Sequence, residues 1–441
     1  MRNLIEIKNK IKPFKNSIYV TSDKSISIRC VLLASQAIGT SKLYNLLESE
    51  DVMNTLNSIK KLGINYKKIK NYYEINGLGI NGYVTNNNVK INAGNSGTLA
   101  RLILGLLVNS KKKITLVGDK SLSKRDFSRI TEPLKLFGAN IISSLNCLPV
   151  HITGSNFLRP IKYVEKLGSA QCKSSILLAA IKTPGTTVLK AKKSRNHTEL
   201  LFKYLKIPIK IINSKNYDYI RINGPSNFKG FNYKIPGDIS SSSFFIVLTL
   251  LSKKSRMVLK SININKSRVG IIKILNKMNA KIVFKNKKIY NGEKIADIVV
   301  ESRNNLKGIN CPKSLNSSAI DEFLIIFLVA AKASGVSTFS NLGELNKKES
   351  PRLEIATNFL KDIGIKFVRN SNNIKIYGNP KLNLNGKYKV KNFSKDHRVF
   401  MMSCIAALTL GGNWKIYDKD SINTSFPSFL KKIKDLGAKL H

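Results

Sequence analysis

The sequence is short of acidic residues, cysteine and long apolar runs. Its 441 residues include 26 aspartates and glutamates against 75 lysines and arginines, with only five cysteines and four histidines. The cysteines lie far apart and form no CxxC pair, which argues against both a disulfide framework and a zinc site. No apolar stretch approaches the ~18 residues of a membrane span, and residues 1–6 lack the pattern of a signal peptide. We therefore expect a cytoplasmic protein with no membrane segment.

The excess of basic residues gives a formal net charge of +49, which at first suggests a nucleic-acid-binding protein. The lysines are scattered along the whole chain, however, without the interleaved aromatic residues of a single-strand binder. Asparagine and isoleucine are abundant together with lysine, the pattern that AT-rich coding produces. We expect no specific nucleic-acid partner, and a smaller role for the charge in steering anionic small molecules.

One pattern occurs six times along the chain: a polar or glycine-containing start, an apolar run, a turn, a β-strand and an amphipathic helix. The second helix of each copy ends in a similar way, at positions spaced 68 to 85 residues apart, namely Gly63, Gly138, Lys206, Asn279, Gly364 and Gly437. Five of these six positions hold glycine or asparagine, which suits a left-handed helix cap. The sequence therefore predicts six copies of one α/β unit, and the chain length suits two domains of three copies.

Two helix starts in the first half have the composition of an anion site. The stretch 92–101 (NAGNSGTLAR) opens as a glycine-bearing polar loop and continues as an apolar helix, so that free N–H groups and the positive end of the helix dipole would face an anion. The stretch 22–29 (SDKSISIR) places Lys24, Ser25 and Arg29 at one end of another helix, where they can share an anion. Taken singly, each stretch is more often a capped structural helix. Their repetition in one chain favours anion binding.

The second half adds carboxylates at helix starts and beside basic residues. Asp321 and Glu322 open the fifth repeat helix, and Glu349 lies between Lys348 and Arg352. A carboxylate at a helix N-terminus is ordinarily a favourable partner of the helix dipole, and Glu349 can form a plain ion pair. The residues alone therefore leave both a structural and a catalytic interpretation open.

Ten short motifs, taken in order, resemble those of the 5-enolpyruvylshikimate-3-phosphate synthases, and the resemblance covers nearly the whole chain. Each motif is weak by itself, and the ordered set is specific. The motifs are DKSISIR (23–29), GNSGTLAR (94–101), GDKSLSKR (118–125), SAQCKSS (169–175), SRNHTE (194–199), PGDISSSSFF (236–245), DE (321–322), KKESPRL (347–353), DHR (396–398) and TSFP (424–427).

The resemblance implies an α/β (α+β) fold of two domains, each made of three repeated βαβαββ units, with the active site in the cleft between them. Residues 22–237 would form an inserted domain that binds shikimate 3-phosphate, and residues 1–21 together with 238–441 would form a discontinuous, carboxylate-bearing domain. The implied reaction transfers the enolpyruvyl group of phosphoenolpyruvate to the 5-hydroxyl of shikimate 3-phosphate and releases phosphate. It implies no metal and no organic cofactor, and we expect a monomer.

The resemblance also implies site residues, each carried over from a matching motif. The set implied for shikimate 3-phosphate is Lys24, Ser25, Arg29, Ser169, Ala170, Gln171, Ser194, Asp321 and Lys348. The set implied for phosphoenolpyruvate is Lys24, Asn95, Gly97, Arg125, Gln171, Arg352 and Arg398. Asp321 would take the proton of the 5-hydroxyl, while Glu349 and Lys24 would handle protons at the enol carbon and its phosphate.

Three positions depart from the family pattern. Leu102 stands where proline is usual, Pro351 replaces an aspartate, and Asn423-Thr424 lacks the lysine that many members carry before this Phe-Pro pair. These departures bear on the geometry of the Gly97 loop, on the placement of Arg352 and on one anion contact.

Two other functions remain as alternatives. UDP-N-acetylglucosamine 1-carboxyvinyltransferase shares the fold and the donor, but its Lys-Asn start and cysteine-bearing loop are missing here, since position 25 is serine. A nucleic-acid-binding or RNA-end-processing protein on a similar repeat is favoured by the charge. It is disfavoured because no histidine stands in a setting expected of a nucleophile.

Overall fold

The computed structural model describes residues 3–84 and 88–441 as a mixed α/β structure with many small sheets. Met1 and Arg2 lie outside the described residues. They belong to residues 1–6, which were expected not to form a signal peptide. The α-helices of the described residues are α1 (Lys24–Gln36), α2 (Glu50–Lys61), α3 (Gly97–Leu106), α4 (Ser128–Leu136), α5 (Ala170–Ala180), α6 (His197–Tyr204), α7 (Ile239–Leu251), α8 (Gly270–Lys277), α9 (Asn316–Ala319), α10 (Phe323–Lys332), α11 (Arg352–Asp362), α12 (His397–Leu410) and α13 (Phe429–Asp435).

The strands of the same residues are short. They are β1 (Leu4–Ile7), β2 (Lys15–Ile18), β3 (Ile38–Tyr44), β4 (Asn65–Ile69), β5 (Tyr72–Leu78), β6 (Val89–Asn92), β7 (Ile114–Val117), β8 (Asn140–Ser143), β9 (Val150–Thr153), β10 (Lys162–Glu165), β11 (Gly185–Lys192), β12 (Ile209–Asn213), β13 (Tyr217–Gly224), β14 (Asn232–Lys234), β15 (Arg256–Asn263), β16 (Ile282–Tyr290), β17 (Glu293–Glu301), β18 (Val336–Phe339), β19 (Phe367–Asn370), β20 (Asn373–Tyr377), β21 (Leu384–Val390) and β22 (Gly411–Tyr417).

The chain divides into two compact units, each with its own hydrophobic core. Unit 1 contains the lead up to Thr21 and the segments Pro236–Ile289 and Lys294–His441. Unit 2 contains Ser22–Ile235 and the four-residue segment Tyr290–Glu293. The change of unit after Ile235 falls two residues before the boundary expected from the sequence, so Pro236 and Gly237 belong to unit 1.

Unit 2 has three four-stranded sheets, in the orders β14-β3-β5-β4, β6-β7-β9-β8 and β10-β11-β13-β12. In the second and third sheets the elements follow the chain as βαβαββ, for example β6, α3, β7, α4, β8 and β9. The first sheet lacks a leading strand of its own. Its place is taken by β14 from the end of the unit, which pairs in parallel with β3.

Unit 1 has three sheets, in the orders β16-β17-β15-β2, β18-β20-β19 and β1-β22-β21. The N-terminal lead supplies two strands: β2 pairs in parallel with β15, and β1 pairs antiparallel with β22. The middle sheet has isolated parallel bridges, Lys307 with Ser334 and Asn310 with Thr338, where the others have a leading strand. The repeated unit is therefore present in both halves, with some strands borrowed from distant parts of the chain.

All six repeat helices end in a left-handed residue, as the sequence predicts for the five that end in glycine or asparagine. The backbone angle φ is +85° at Gly63, +110° at Gly138, +59° at Lys206, +69° at Asn279, +72° at Gly364 and +95° at Gly437. Lys206 adopts this angle without the freedom of glycine. The N–H of Ile207 donates to the carbonyl of Phe202 (2.9 Å), and Ile207 is buried, so the cap bond and core packing of the next residue stabilise the turn.

Five of the six repeat helix starts are capped by side chains, whereas α10, which follows Asp321 and Glu322, has no side-chain cap. Oxygen atoms accept hydrogen bonds from backbone N–H groups at the starts of α1, α3, α5, α7 and α12, and the capping residues are Asp23, Ser96, Ser169, Asp238 and Asp396. Within the described residues, no helix combines the length and apolar character needed to cross a membrane. The five cysteines are free thiols, and all but Cys147 are buried.

Lys182 lies in the core of unit 2, where it donates to the carbonyl oxygen of Ile80 and lies 5.2 Å from the centre of the Tyr83 ring. Burial lowers the pKa of Lys182 to about 7. An unfolded lysine has a pKa of ~10.4, so the unfolded chain binds more protons between about pH 7 and 10 and the free energy of unfolding rises with pH there.

We predict that Lys182→Met is at least as stable as the parent at neutral pH, because the buried ammonium group is removed. The part of the pH-dependent rise in stability that Lys182 causes should disappear. Denaturant unfolding at several pH values measures both effects, with the exposed Lys111→Met as the matched control. An unchanged pH slope in Lys182→Met would contradict the prediction.

Candidate active site

Gly97 is the first residue of α3 in unit 2 and lies beside two guanidinium groups. A Cβ atom at this position would be 2.9 Å from Nη1 of Arg101 and 3.1 Å from Nη1 of Arg125. A larger side chain would therefore displace the arginines. Because two cations and the positive end of a helix dipole lie together here, the arrangement favours binding of an anion.

Asn95 and Asp119 hold Arg125 in this position. Arg125 Nη2 donates to Asn95 Oδ1 (3.3 Å), and Asn95 Nδ2 donates to Asp119 Oδ2 (2.6 Å). The other oxygen of Asp119 accepts from the N–H of Leu122 at 2.7 Å. The predicted site residues Asn95, Gly97 and Arg125 are thus brought together, and Asp119 orders the loop that joins them.

Gln171 is held at both ends of its side-chain amide. Its Oε1 accepts from Arg101 Nη1 (2.8 Å), and its Nε2 donates to Thr98 Oγ1 (3.1 Å). The Arg101 guanidinium also lies over the ring of Phe127, with 5.2 Å between its central carbon and the ring centre. Gln171 therefore joins the Gly97 group, and Arg101 is the residue that links them.

Arg29 forms a second, more buried group in unit 2. Its Nε donates to Thr198 Oγ1 (2.9 Å), its Nη2 to Ser174 Oγ (3.0 Å) and its Nη1 to the carbonyl of Ser25 (3.0 Å). The two hydroxyls also lie 2.7 Å apart. The side chain of Arg29 is thus fixed by α5 and α6, and only 5% of the residue is exposed.

The other predicted residues of unit 2 have separate contacts. Lys24 Nζ donates to Asp51 Oδ2 (2.8 Å), Ser169 caps α5, and Ala170 is the first residue of that helix. The hydroxyl oxygen of Ser194 is buried and has no hydrogen-bond partner in the described structure. A buried hydroxyl without a partner is costly, so it suits a ligand oxygen.

Arg352 organises the carboxylates of unit 1, and 1% of the residue is exposed. Its Nε donates to Asp396 Oδ2 (2.8 Å), its Nη2 to Glu349 Oε2 (2.5 Å), and its Nη1 lies 3.5 Å from Asp321 Oδ1. Lys348 Nζ is also 3.3 Å from Asp321 Oδ1. The structure therefore brings together four of the predicted residues, the two candidate proton-transfer carboxylates among them.

Arg398 lies at the start of α12 beside the same group. Its Nη1 donates to the carbonyl oxygen of Asp321 (3.0 Å) and lies 3.7 Å from Oε1 of Glu322. Its backbone N–H donates to Asp396 Oδ1 at 2.9 Å. Asp396 therefore contacts both predicted arginines of unit 1.

The pKa values of the buried pair Arg352 and Asp396 are shifted in opposite directions. Burial alone would raise the pKa of Asp396, but the adjacent Arg352 guanidinium holds it below its ordinary value. Burial would lower the pKa of Arg352, but Asp396 and Glu349 raise it above its ordinary value. Both groups therefore remain charged, because each compensates the other.

The three departures from the family pattern have plain structural settings. Leu102 is fully buried in the core of unit 2. Pro351 is the residue just before α11, and the backbone N–H that proline lacks would have no partner within the helix there. The Thr424 hydroxyl lies 3.4 Å from Nδ1 of His397. Pro351 is therefore compatible with the position of Arg352 in the carboxylate group.

Several residues that shape these groups were not predicted as site residues. They are Asp51, Thr98, Arg101, Asp119, Ser174, Thr198 and Asp396. Only weak indications of them are present in the sequence. Asp119 lies in the motif at 118–125, whose lysines and arginine are typical of a basic loop. Ser174 and Thr198 are 145 and 169 residues from Arg29 along the chain. Among the described residues, no group of three or more histidines, cysteines or carboxylates could hold a metal ion.

Comparison with known proteins identifies the family. The protein-family model described as EPSP synthase (3-phosphoshikimate 1-carboxyvinyltransferase) matches residues 8–433 of the sequence. The chain belongs to the EPSP synthase family. The 3-phosphoshikimate 1-carboxyvinyltransferase of Zymomonas mobilis is 35% identical over 437 residues, which cover 98% of this chain and 96% of that protein. The protein of the same name from Caldicellulosiruptor saccharolyticus is 36% identical over 428 residues, with 96% of each covered.

Solved structures agree with the family assignment. EPSP synthase from Acinetobacter baumannii has a TM-score of 0.86 and 33% identity, with 99% of both chains covered. The enolpyruvyl transferase NikO from Streptomyces tendae has a TM-score of 0.77 and 13% identity, covering 99% of this chain and 98% of that one, and shows likeness of fold alone. The expected family, fold class and enzyme class are confirmed.

The ion pair between Asp396 and Arg352 yields a stability prediction. Asparagine caps a helix about as well as aspartate, so Asp396→Asn should remove mainly the charge that faces Arg352. Loss of one partner of a buried pair costs roughly 3–5 kcal/mol, and we expect the lower end because Glu349 and Asp321 still contact Arg352.

The effect should depend on pH. Because the folded pKa of Asp396 is lowered, its contribution is complete above the unfolded value of ~3.9 and is lost as pH falls through the folded pKa. The stability difference between parent and variant should therefore narrow in acid. Denaturant unfolding of parent and Asp396→Asn from neutral pH into acid measures this stability difference. Asp362→Asn, which changes an exposed aspartate, is the control. A difference that does not change with pH would count against the pair.

Proposed function

We propose that this chain transfers the enolpyruvyl group of phosphoenolpyruvate to the 5-hydroxyl of shikimate 3-phosphate and releases phosphate. The observation that carries the proposal is the Arg352 group, in which Asp321 and Glu349 contact one buried guanidinium. A reaction that removes a proton from a hydroxyl and adds one to a carbon needs two such groups. The names of the curated relatives and of the family support the same reaction.

In this mechanism Asp321 takes the proton of the 5-hydroxyl as its oxygen bonds to the second carbon of phosphoenolpyruvate. Glu349 gives a proton to the methylene carbon, which yields a tetrahedral intermediate. Glu349 then takes a proton back from that carbon as the bond to the phosphate oxygen breaks, and Lys24 donates a proton to the departing phosphate. The proton on Asp321 passes to solvent, from which Lys24 is reprotonated. Fixed cations stabilise the charge that develops at each step.

We propose that each substrate is bound by the set of groups predicted for it. For phosphoenolpyruvate these are Lys24, Asn95, Gly97, Arg125, Gln171, Arg352 and Arg398. For shikimate 3-phosphate they are Lys24, Ser25, Arg29, Ser169, Ala170, Gln171, Ser194, Asp321 and Lys348. The paired guanidinium groups at Gly97 and the buried Ser194 hydroxyl support this assignment, since both suit phosphate or carboxylate oxygens.

We also propose that the chain works as a monomer in the cytoplasm. Its five free thiols agree with a reducing compartment. The basic surface would then act on small anions by steering them rather than by binding nucleic acid.

Isosteric amides test the roles of the two carboxylates. We expect Asp321→Asn and Glu349→Gln each to lower kcat by roughly 10²–10⁴ with little change in KM or Tm, since a general acid or base is removed while the shape remains. Glu354→Gln, an exposed glutamate in the first turn of α11, is the matched control. Near-normal turnover in both variants would refute the assigned chemistry.

The acceptor is tested by phosphate release from phosphoenolpyruvate. We expect release with shikimate 3-phosphate and none above background with UDP-N-acetylglucosamine. The enzyme that uses UDP-N-acetylglucosamine has a Lys-Asn pair at this helix start, whereas this chain has Ser25 after Lys24. Release with UDP-N-acetylglucosamine alone would replace the proposed function by the alternative.

A further inference from the structure

We infer that Glu322 is a positioning residue that fixes the guanidinium of Arg398 for binding phosphoenolpyruvate. The inference rests on the proposed function, which places Arg398 among the groups that bind this substrate. Glu322 was noted in the sequence only as a neighbour of Asp321 at a helix start. The structure gives it a separate set of contacts.

Glu322 is a buried carboxylate, and 1% of the residue is exposed. Its Oε1 accepts a hydrogen bond from the hydroxyl of Ser240 and lies 3.7 Å from Arg398 Nη1. Its Oε2 is buried and has no hydrogen-bond partner in the part of the chain that the structure describes. A buried carboxylate with one unsatisfied oxygen is costly, so simple helix capping does not account for it.

The hydroxyl of Ser240 has its direction fixed by Arg268. Arg268 Nη2 donates to Ser240 Oγ (2.7 Å) and to Asp238 Oδ1 (3.3 Å), and the Arg268 side chain is 2% exposed. Since Ser240 Oγ accepts from Arg268, its one hydrogen is directed to Glu322. Glu322 is thus held on one side by a buried chain of contacts that begins at the start of α7.

On its other side, Glu322 faces one edge of the Arg398 guanidinium. Nη1 of Arg398 donates to the carbonyl oxygen of Asp321 (3.0 Å) and faces Glu322, and these two contacts do not use Nη2. Holding one edge of a planar guanidinium fixes the direction of its remaining donors. The Arg398 side chain is 12% exposed, more than the 1% of Arg352, so it keeps access to a ligand.

The test uses Glu322→Gln, which keeps the size of the side chain and its acceptor for Ser240. We expect KM for phosphoenolpyruvate to rise about tenfold, KM for shikimate 3-phosphate to change less than about twofold, and Tm to stay close to that of the parent. A structural role alone would lower Tm or alter both KM values together. Equal KM values for phosphoenolpyruvate in parent and variant would overturn the inference.

Asp297→Asn is the matched control for loss of a buried carboxylate in the same unit. Asp297 is buried and accepts from Lys260 (2.9 Å), the Ser261 N–H (2.9 Å) and Asn286 (2.8 Å), none of which is a site residue. Its KM values should match the parent. A selective rise in KM for phosphoenolpyruvate in this control would show that the effect is not specific to Glu322 and would overturn the inference.

Two further measurements keep the test decisive. Should Glu322→Gln not fold, Ser240→Ala removes the contact that holds Glu322 and should also raise KM for phosphoenolpyruvate. No rise in that KM would count against the inference.

A crystal structure of Glu322→Gln or Ser240→Ala gives a readout independent of activity. We expect loss of the Arg398–Asp321 carbonyl hydrogen bond, and its retention would overturn the inference. Absence of activity in the parent would instead refute the proposed function.

Discussion

The contact between Arg352 and Asp396 is the interaction on which the carboxylate group of unit 1 depends. Three carboxylates lie on one guanidinium that water scarcely reaches. Burial would raise the pKa of Asp396, but the adjacent guanidinium holds it below its ordinary value, so this carboxylate stays ionised. The buried arginine thus holds in one group the two carboxylates that we propose as proton-transfer residues.

Asp396 also shows how helix capping and the site are combined. Its side chain caps α12 through the N–H of Arg398, and the same carboxylate holds Arg352. One residue therefore sets the start of a helix and the position of two cations. A helix start also supplies a charged group in unit 2, where α3 begins at Gly97 and Arg101 follows one turn later. Helix starts supply both the local order and the charged groups.

Much of the fold could be predicted because its signals are local. Helix caps and left-handed turns follow from short stretches of sequence, and five of the six turn positions hold glycine or asparagine. Lys206 could not be predicted on those grounds, since its angle depends on the burial of Ile207. The resemblance assigned residues 1–21 to the domain of residues 238–441, but the sheet partners of β1, β2 and β14 could not be predicted. Their partners are distant in sequence, and pairing of that kind is decided by the whole sheet.

The residues of the candidate site were predicted by ordered motifs, but their contacts were not. Arg29 was expected at a helix start beside Lys24 and Ser25, ready to share an anion. The structure shows that its guanidinium has three partners within the protein, and two of them come from α5 and α6. Nothing in a single sequence indicates contacts over 145 or 169 residues, because hydroxyl side chains are common and only packing selects which pair meets.

Most of the positive charge of this chain comes from lysine, whereas most of the cations of the candidate site are arginines, with Lys24 and Lys348 beside them. Lysine is far more abundant than arginine in this chain, yet five cations that hydrogen bonds hold in the candidate site are arginines, namely Arg29, Arg101, Arg125, Arg352 and Arg398. A guanidinium holds several donors in one plane and is less strongly hydrated than an ammonium group, so burying it costs less and fixes more directions. Lysine gives charge without direction, which suits an exposed surface. Salt should therefore screen the field of the surface lysines while leaving the buried guanidinium contacts largely intact.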